Sequence, residues 1–286
     1  MLFSVPTVLT ALAGCSFDSA NFRETRTMSI PAVTSAPITV ETANGSIAVS
    51  ADAALTGIEC IVEIKANTDE RLKATQVVTE ASPEGRLVFR VSWPGEGRKG
   101  SEGASFTIRM PSVNSPVLTT TNGAIKLTGA TGPATLTTSN GALRVEGVAG
   151  ALKAKTSNGT ITATGVTGAV DAGTTNGSIE LTDCAAAGDR VHAKSSNGSL
   201  TIRPAAAFKG SVDAQTSNGA IAVWLSETFP GSIDASTSNG TVTFDEFPNV
   251  QIVKHSKRHR TLTFATPGPA NTLKTSNGSV KVHKAQ

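Results

Sequence analysis

The sequence predicts an all-β fold, a parallel β-helix (β-solenoid) with rungs of 18–21 residues. Three observations predict it: a repeated Asn-Gly word, a fixed spacing between its copies, and a strict in–out alternation of residues on both sides of the word. The chain has 286 residues, 16% of them charged and 4% aromatic, with no Tyr and 27 Gly. Small, β-branched and turn-forming residues at low charge are typical of proteins with many short strands.

The Asn-Gly word marks the repeat. Its copies begin at Asn44, Asn122, Asn140, Asn158, Asn176, Asn197, Asn218, Asn239 and Asn277. From Asn122 to Asn239 the steps are 18, 18, 18, 21, 21 and 21 residues, and a fixed period near 20 is the signature of stacked repeats. The 38 residues between Asn239 and Asn277 are nearly two periods, which predicts one cryptic rung there.

Each repeat contains two strands with one buried face. After Asn158, the apolar Ile161 and Ala163 flank the polar Thr162, and before Asn176, Val170 and Ala172 flank Asp171. The same alternation recurs from rung to rung, as expected of strands that bury every second side chain. Thr or Ser stands two residues before the Asn in each rung from Asn140 to Asn239.

An antiparallel meander is the alternative arrangement, because Asn-Gly is also the strongest signal for a two-residue hairpin. A meander would give a single sheet of many strands with an uncovered apolar face. A β-helix explains the repeated word better, because stacked Asn amides can form a hydrogen-bonded ladder. We therefore expect a corner ladder from Asn122 to Asn277, with left-handed Asn and positive-φ Gly at each corner.

The N-terminus predicts a targeting signal. An uncharged apolar stretch, too short to span a bilayer, ends at Leu12-Ala13-Gly14-Cys15. This tetrapeptide resembles the lipobox of bacterial lipoproteins, although no Lys or Arg precedes the apolar run. The resemblance implies a signal peptide over residues 1–14, an acylated Cys15, a flexible tether over 15–37, and a cell-envelope location, in the outer membrane or periplasm if the host is Gram-negative. A buried strand ending at the Cys is the other interpretation.

Two further regions follow. Residues 38–121 predict an N-terminal β module that holds the first coil and a capping hairpin around Pro83-Glu84-Gly85. Residues 105–112 predict another strand, and the Gly-rich residues 95–103 a mobile loop. Residues 122–286 predict the β-solenoid repeats.

The words TVETANGSIAV and FTIRMP, followed by tandem TSNGxIxV repeats behind a lipobox, resemble the bacterial putative-adhesin family of β-strand-repeat domains of unknown function. The resemblance covers about residues 38–286. It implies an envelope or secreted protein with a β-helix-like fold. The family assigns no binding residues, so the resemblance transfers none.

One outward column carries ionisable residues: Asp171, His192, Asp213 and Asp234. If consecutive repeats stack in order, Asp213 and Asp234 lie about 5 Å apart. Two such carboxylates could cleave polysaccharide by acid–base chemistry, with or without calcium. A solvated face is the favoured interpretation, since no basic clamp shares the rung of Asp213.

Three aromatic residues are weak binding candidates: Trp224, Phe208 and Phe229. Phe208 and Phe229 share a column and could either cover a corner of the core or form an exposed patch with Trp224 that binds sugar or protein. The basic run from Lys254 to Arg260 predicts a solvated loop, with anionic glycolipid or phosphate-rich polymer as its possible ligand.

The remaining signals favour a non-enzyme. Cys60 and Cys184 could form a disulfide in an oxidising envelope, but two buried or half-buried free thiols are the favoured interpretation. No Cys/His spacing indicates a metal site. No phosphate loop or nucleophile elbow is present, and a dispersed net charge of +3 does not indicate nucleic acid. We therefore expect a lipoprotein acting as an adhesion or scaffolding module without catalysis or cofactor, with the membrane and envelope glycans or surface proteins as partners. The alternative is a β-helix protein that binds or cleaves polysaccharide.

Overall fold

A computed structural model describes residues 10–12, 22–31, 36–82, 85–185, 189–248 and 250–285. The chain divides into two compact units, Met1–Asn140 and Gly141–Gln286. Almost every described regular element is a strand, so the predicted all-β class is confirmed. Each unit buries alternate side chains of its strands in its own core.

Unit 1 contains eleven described strands and one helix. They are β1 (Thr10–Leu12), β2 (Phe22–Pro31), β3 (Pro37–Glu41), β4 (Ile47–Ala51), β5 (Gly57–Ala66), α1 (Asp69–Ala74), β6 (Gln76–Ala81), β7 (Leu87–Ser92), β8 (Gly103–Met110), β9 (Val113–Thr119), β10 (Ile125–Thr131) and β11 (Ala134–Thr137).

The strands of unit 1 form two ladders. In the first, β10, β4 and β8 run parallel, and β5, β2 and β1 continue antiparallel. In the second, β11, β9, β3 and β7 are parallel, and β6 pairs antiparallel with β7. The Asn44 corner therefore stacks directly on the Asn122 corner, to which it is joined by a backbone bridge.

The excursion between these two corners forms the antiparallel end of unit 1. The predicted hairpin is present as β6 and β7, although Pro83 and Glu84 of its turn lie outside the described residues. The predicted strand at 105–112 is β8, which ends at Met110 before Pro111. Thr68 caps α1, with its hydroxyl accepting a hydrogen bond from the Arg71 N–H.

The prediction of a mobile loop over residues 95–103 does not match the contacts of this segment. The carboxylate of Glu102 is completely buried and binds the Arg71 guanidinium, with an Nε–Oε1 distance of 2.6 Å. Arg71 also donates to the carbonyl of Gly97, and Asn44 Nδ2 donates to the carbonyl of Glu102. The loop is thus fastened both to α1 and to the Asn44 corner.

Unit 2 contains fifteen described strands. They are β12 (Leu143–Ala149), β13 (Leu152–Lys155), β14 (Ile161–Val166), β15 (Val170–Gly173), β16 (Ile179–Cys184), β17 (Arg190–Lys194), β18 (Leu200–Pro204), β19 (Ser211–Asn218), β20 (Ile221–Leu225), β21 (Ser232–Asn239), β22 (Val242–Phe244), β23 (Val250–His255), β24 (His259–Phe264), β25 (Ala270–Asn277) and β26 (Val280–Lys284).

Parallel pairing in unit 2 follows the repeat. One ladder runs β12, β14, β16, β18, β20, β26 and β22, and the other runs β13, β15, β17, β19, β25 and β21. Residues at equivalent repeat positions lie opposite one another, for example Ile161 and Ile179, or Ala172 and Ala193. One buried position of the second ladder is occupied by small side chains, which are Ala154, Ala172, Ala193, Ala214 and Ala235.

The prediction of a cryptic rung between Asn239 and Asn277 is wrong. Strand β25, which ends at Asn277, inserts between β19 and β21, so the last repeat in the sequence stacks between two earlier ones. The intervening chain forms the hairpin β23–β24, whose β24 pairs antiparallel with β21. This hairpin covers the edge that β21 would otherwise expose, as end caps of stacked repeats do.

Each corner contains two kinds of stacking hydrogen bond. In unit 2, Nδ2 of each Asn donates to Oδ1 of its stack neighbour at 2.7–2.9 Å, in the spatial order Asn158, Asn176, Asn197, Asn218, Asn277, Asn239. In unit 1, the same bonds join Asn140 to Asn122 and Asn122 to Asn44. The buried Thr or Ser two residues before each Asn from Asn122 onward donates to a corner glycine carbonyl, as Thr216 does to Gly198 at 2.9 Å, whereas Thr42 donates to the Ala104 carbonyl.

Close stacking, not positive φ, explains the corner glycines. Their φ angles lie outside the left-handed region, contrary to the sequence expectation. A Cβ built on Gly198 would lie 1.9 Å from the carbonyl oxygen of Gly177 in the neighbouring rung, and one on Gly177 would lie 2.0 Å from that of Gly159. Any side chain at these positions would force the rungs apart.

The predicted targeting segment lies mostly outside the described residues, as do Cys15 and residues 16–21 and 32–35 of the predicted tether. Residues 22–31 of that tether form β2, which pairs with β5 along its whole length and is therefore not a flexible tether. Residues 10–12 of the targeting segment form β1 against β2. Within the described ranges, no helix is long and apolar enough to cross a membrane.

Candidate functional site

Trp224 has neither ring face open to a ligand. The Arg203 guanidinium carbon lies 3.8 Å from the centre of the Trp224 ring. His283 stacks on Trp224 with 4.7 Å between ring centres. The three residues lie on neighbouring strands β18, β20 and β26, so the stack follows from the parallel register. A sugar that binds by stacking on an aromatic face would have to displace one of these neighbours.

Phe208 and Phe229 belong to the core. They are 3% and 1% exposed, stack with 6.0 Å between ring centres, and Phe229 meets Phe264 edge to face. The interpretation of an exposed aromatic patch is therefore wrong for these two residues. Only a small crevice of about 30 Å³ lies beside them and Trp224.

The acidic column does not bring Asp213 and Asp234 together. Because β25 is inserted, Thr272 lies opposite both, and the expected neighbouring pair of carboxylates is absent. Asp213 accepts from His192 at 3.1 Å and from Arg190 at 3.3 Å, so its basic partners come from the neighbouring strand β17 and not from its own rung.

Asp234 has its own partners, His259 at 2.6 Å and Thr261 at 2.8 Å. Burial raises the pKa of Asp234, but the hydrogen bonds from His259 and Thr261 outweigh this effect and lower the pKa overall. The two carboxylates are therefore bound to separate partners, Asp213 to Arg190 and His192 and Asp234 to His259 and Thr261. Among the described residues, no group of three or more His, Cys, Asp or Glu side chains is placed to hold a metal ion.

A neighbouring outward column carries regularly spaced lysines. Its members lie opposite one another on successive strands and are Lys155, Gly173, Lys194, Gln215, Lys274 and Ser236. Lysine occupies every second strand from β13 to β25, so the three ammonium groups repeat at about 10 Å, twice the spacing between strands. Lys194 and Lys274 are exposed and form no ion pair with any carboxylate that the structure describes. We call Lys155, Lys194 and Lys274 the lysine column.

A cleft opens in this column where glycine replaces a side chain. It has a volume of about 330 Å³ and lies between Lys155 and Lys194, with Gly173 on its floor. A Cβ on Gly173 would meet nothing within 4 Å, which shows how much room the missing side chain leaves. Asp171 on its wall is 3.6 Å from the Lys155 ammonium, and His192 lines the other side.

The lysine column was not identified from the sequence, although its members occupy a constant position in the repeat. Each member stands three residues before a corner Asn. Only the buried positions of each strand and the outward position between them were compared in the sequence, and this position was not. In sequence order, Ser236 follows Gln215 and Lys274 comes last, so the alternation appears only when the inserted strand β25 is known.

Solved structures of low sequence identity resemble this chain. A putative adhesin from Parabacteroides distasonis ATCC 8503 is 10% identical, with a TM-score of 0.53 over 92% of this chain and 97% of that chain. A putative adhesin from Bacteroides fragilis NCTC 9343 is 13% identical, with a TM-score of 0.38 over 94% and 98% of the two chains. A putative lipid binding protein from Parabacteroides distasonis ATCC 8503 is 15% identical, with a TM-score of 0.39 over 92% and 97%.

The likeness to the first of these structures concerns the fold alone. No curated protein matches the chain. The model of the Toastrack DUF4097 family matches residues 10–283, which is nearly the whole sequence. This match agrees with the resemblance read from the TANG and TSNG words. The chain belongs to the Toastrack DUF4097 family.

Proposed function

We propose that this protein is a cell-envelope lipoprotein that acts as a non-catalytic adhesion module and binds acidic polysaccharide along the lysine column. In this proposal, the repeats of 18–21 residues form a parallel β-helix. Its Asn-Gly corners connect the strands, and the β-helix keeps the binding face rigid. The name adhesin, given to the Parabacteroides structure of the same fold, is in line with this role.

The spacing of the lysine column carries the proposal. Lys155, Lys194 and Lys274 lie in one outward column with a repeat of about 10 Å. Lys155 is 3.6 Å from Asp171, whereas Lys194 and Lys274 have no carboxylate partner among the described residues. An extended linear polysaccharide with one carboxylate per disaccharide presents negative charge at a similar repeat. Charge-assisted hydrogen bonds between ammonium and carboxylate are individually modest on a surface, and several in register bind cooperatively.

The cleft at Gly173 supplies a place for one sugar ring. Thr175 and Ser196 line it together with Asp171 and His192, so donors and acceptors are both available to ring hydroxyls. This arrangement binds and orients a polymer. It does not favour cleavage, because Asp213 and Asp234 are separated by Thr272 and each accepts hydrogen bonds from partners of its own.

The proposed lipid anchor is based on the sequence Leu12-Ala13-Gly14-Cys15, which resembles a lipobox. Acylation of Cys15 by several chains would hold the protein stably on a membrane. Mass spectrometry of the mature protein is expected to show an N-terminal acylated Cys15. An unmodified Cys15 that still carries the upstream residues would contradict the anchor and leave the binding proposal untouched.

Binding is tested with a charge-matched pair of variants. The triple variant K155S/K194S/K274S removes the lysine column, and R144S/K209S/K281S removes three exposed cations from elsewhere in unit 2. Isothermal calorimetry with hyaluronate, which has one carboxylate per disaccharide, is expected to show at least tenfold weaker binding for the first variant only. Wild-type binding should weaken with added salt, and neutral dextran should not bind. Equal losses in both variants, or equal binding of dextran, would overturn the proposal.

A further inference from the structure

A cleft lies between the β23–β24 hairpin and β22. The turn of this hairpin is fixed to the neighbouring corner, because Thr237 N–H donates to the Arg258 carbonyl and Val242 N–H to the Lys257 carbonyl, both at 2.9 Å. The cleft has a volume of about 380 Å³ and is lined by Thr241, Val242, Thr243, Ser256, Lys257 and Arg260. Its polar lining is cationic and hydroxylic, without a carboxylate.

Arg260 is the unusual member of this lining. Its Nε is fully buried and has no hydrogen-bond partner. Its guanidinium group also forms no ion pair with any carboxylate that the structure describes. A buried polar atom is normally partnered, and a partly buried cation without an anion is costly. An anion in the cleft would remove this cost.

Two carboxylates near the hairpin, Asp234 and Asp245, have other partners. Asp234 binds His259 and Thr261, and Asp245 accepts from the His283 ring and from the Lys284 N–H. Lys257 forms no ion pair within the described residues. Two cations and several hydroxyl groups around one small space are suited to the oxygens of a phosphate group, to which Arg donates in bidentate fashion.

Exposed aliphatic side chains lie on the same hairpin. Ile252 and Val253 are 59% and 70% exposed, more than any other large hydrophobic residue that the structure describes. Ile252 on β23 lies opposite Leu262 on β24, and paired residues point to the same face of a hairpin. Arg260 is two residues from Leu262 on β24 and therefore points to that face as well. Ile252 and Arg260 thus share one face of the hairpin. Lys254, Lys257 and Arg258 are exposed beside them.

We propose that this cleft binds the phosphate group of an anionic phospholipid, with Arg260 and Lys257 on the phosphate and with Ile252 and Val253 against the apolar part of the membrane surface. Exposed aliphatic residues next to basic ones are the combination that binds anionic membrane interfaces. The site uses none of the residues of the lysine column.

The test uses the full chain with Cys15→Ser, so that no acyl anchor contributes to membrane binding. Flotation with vesicles of phosphatidylglycerol and phosphatidylcholine is compared with phosphatidylcholine alone. Binding is expected on the anionic vesicles only, and R260Q/K257Q is expected to weaken it at least tenfold. R258Q removes a neighbouring exposed charge that does not line the cleft and is expected to weaken it less than twofold. A loss for R258Q as large as the loss for R260Q/K257Q would overturn the site in favour of unspecific charge attraction.

The source of the phosphate is distinguished by a second pair of measurements. I252S/V253S is expected to weaken vesicle binding at least fivefold and to leave binding of soluble glycerol phosphate, measured by calorimetry, unchanged. I61S, at an exposed isoleucine of unit 1, is the hydrophobic control. If I252S/V253S binds vesicles like the wild type, the lipid assignment is wrong and a soluble phosphate ligand replaces it. If the wild type binds neither vesicles nor glycerol phosphate, the site itself is wrong. Urea unfolding of R260Q tests whether the variant is folded. Its unfolding free energy is expected to equal that of the wild type, because the substitution removes a cation without a partner.

Discussion

The Nδ2 of Asn277 donates to the Oδ1 of Asn218 at 2.8 Å, although 59 residues separate the two in the sequence. Asn239 follows Asn218 by one repeat, yet it donates to Asn277 and not to Asn218. The last repeat thus stacks inside the ladder, and the β23–β24 hairpin covers the strand that becomes terminal. At the other end of the sequence, Asn44 likewise stacks on Asn122 across 78 residues. In both cases, the less regular chain between the two stacked corners forms a cap on the repeat.

The inserted repeat makes a prediction about coupling. N277A removes two ladder hydrogen bonds and is expected to cost about 2 kcal/mol of unfolding free energy, whereas N239A removes one and costs about 1 kcal/mol. The double mutant N218A/N277A should be less destabilised than the sum of its single mutants, since both remove the same bond. N218A/N239A should be additive, because no bond joins these residues. Urea unfolding of N218A, N239A, N277A and the two double mutants measures both pairs. Additivity in N218A/N277A together with coupling in N218A/N239A would contradict the inserted order.

Two glycines distinguish close stacking from backbone freedom. Gly198→Ala would place a Cβ 1.9 Å from the Gly177 carbonyl oxygen and is expected to cost more than 3 kcal/mol, or to prevent folding. Gly173→Ala meets nothing within 4 Å and has an ordinary φ, so it should change stability by less than 1 kcal/mol. Thermal unfolding of both variants, with soluble yield as a second measure, tests the contrast. A tolerated Gly198→Ala would mean that the rungs can separate at the corner at little cost.

Local patterns predicted the repeating part of this fold well. The alternation around Ile161 and Val170 predicts which side chains are buried, and the fixed period predicts which residues lie opposite one another. Both signals lie within one repeat or between adjacent ones, where side-chain periodicity alone determines the outcome.

The order of the rungs could not be predicted, because the corner words at Asn239 and Asn277 are alike and either can stack on Asn218. The choice depends on whether the chain between them can form a cap, which involves the long-range pairing of β24 with β21. The wrong expectation that Asp213 and Asp234 are neighbours and the failure to identify the lysine column both follow from the unknown stacking order of these repeats. The Arg260 cleft depends on a side chain that lacks a partner, a property that no sequence pattern reveals.

The two described cysteines are expected to be unreactive in the folded protein. Cys60 and Cys184 are both free and buried. Burial raises the pKa of Cys60 to about 12 and that of Cys184 to about 11, so neither is a thiolate at neutral pH. Labelling with a thiol reagent at pH 8 should be slow in buffer and rapid in denaturant, measured on Cys15→Ser to remove the third thiol. Rapid labelling of either residue under native conditions would show that its strand opens locally.

Glu102 links the stability of unit 1 to pH. Its buried carboxylate accepts from Nε and Nη2 of Arg71 at 2.6 and 2.8 Å and from the backbone N–H groups of Lys99 and Asn67. The hydrogen bonds from Arg71, assisted by those backbone groups, lower the pKa of Glu102 from 4.5 to about 2, despite the opposing effect of burial. E102Q leaves the Arg71 guanidinium without its anion and is expected to cost about 3 kcal/mol at neutral pH.

The pH dependence of this variant follows from the direction of the shift. The folded-state pKa is below the unfolded-state value, so the ion pair contributes its full stability above about pH 5 and loses it as the pH falls from 4.5 towards 2. The difference in unfolding free energy between wild type and E102Q should therefore be constant from pH 8 to 5 and shrink at pH 3, as measured by urea unfolding. E80Q is the matched control, because Glu80 forms an exposed pair with Arg90 and its loss should cost less than 1 kcal/mol. A difference that stays constant down to pH 2 would show that Glu102 acts through shape and hydrogen bonding and not through its charge.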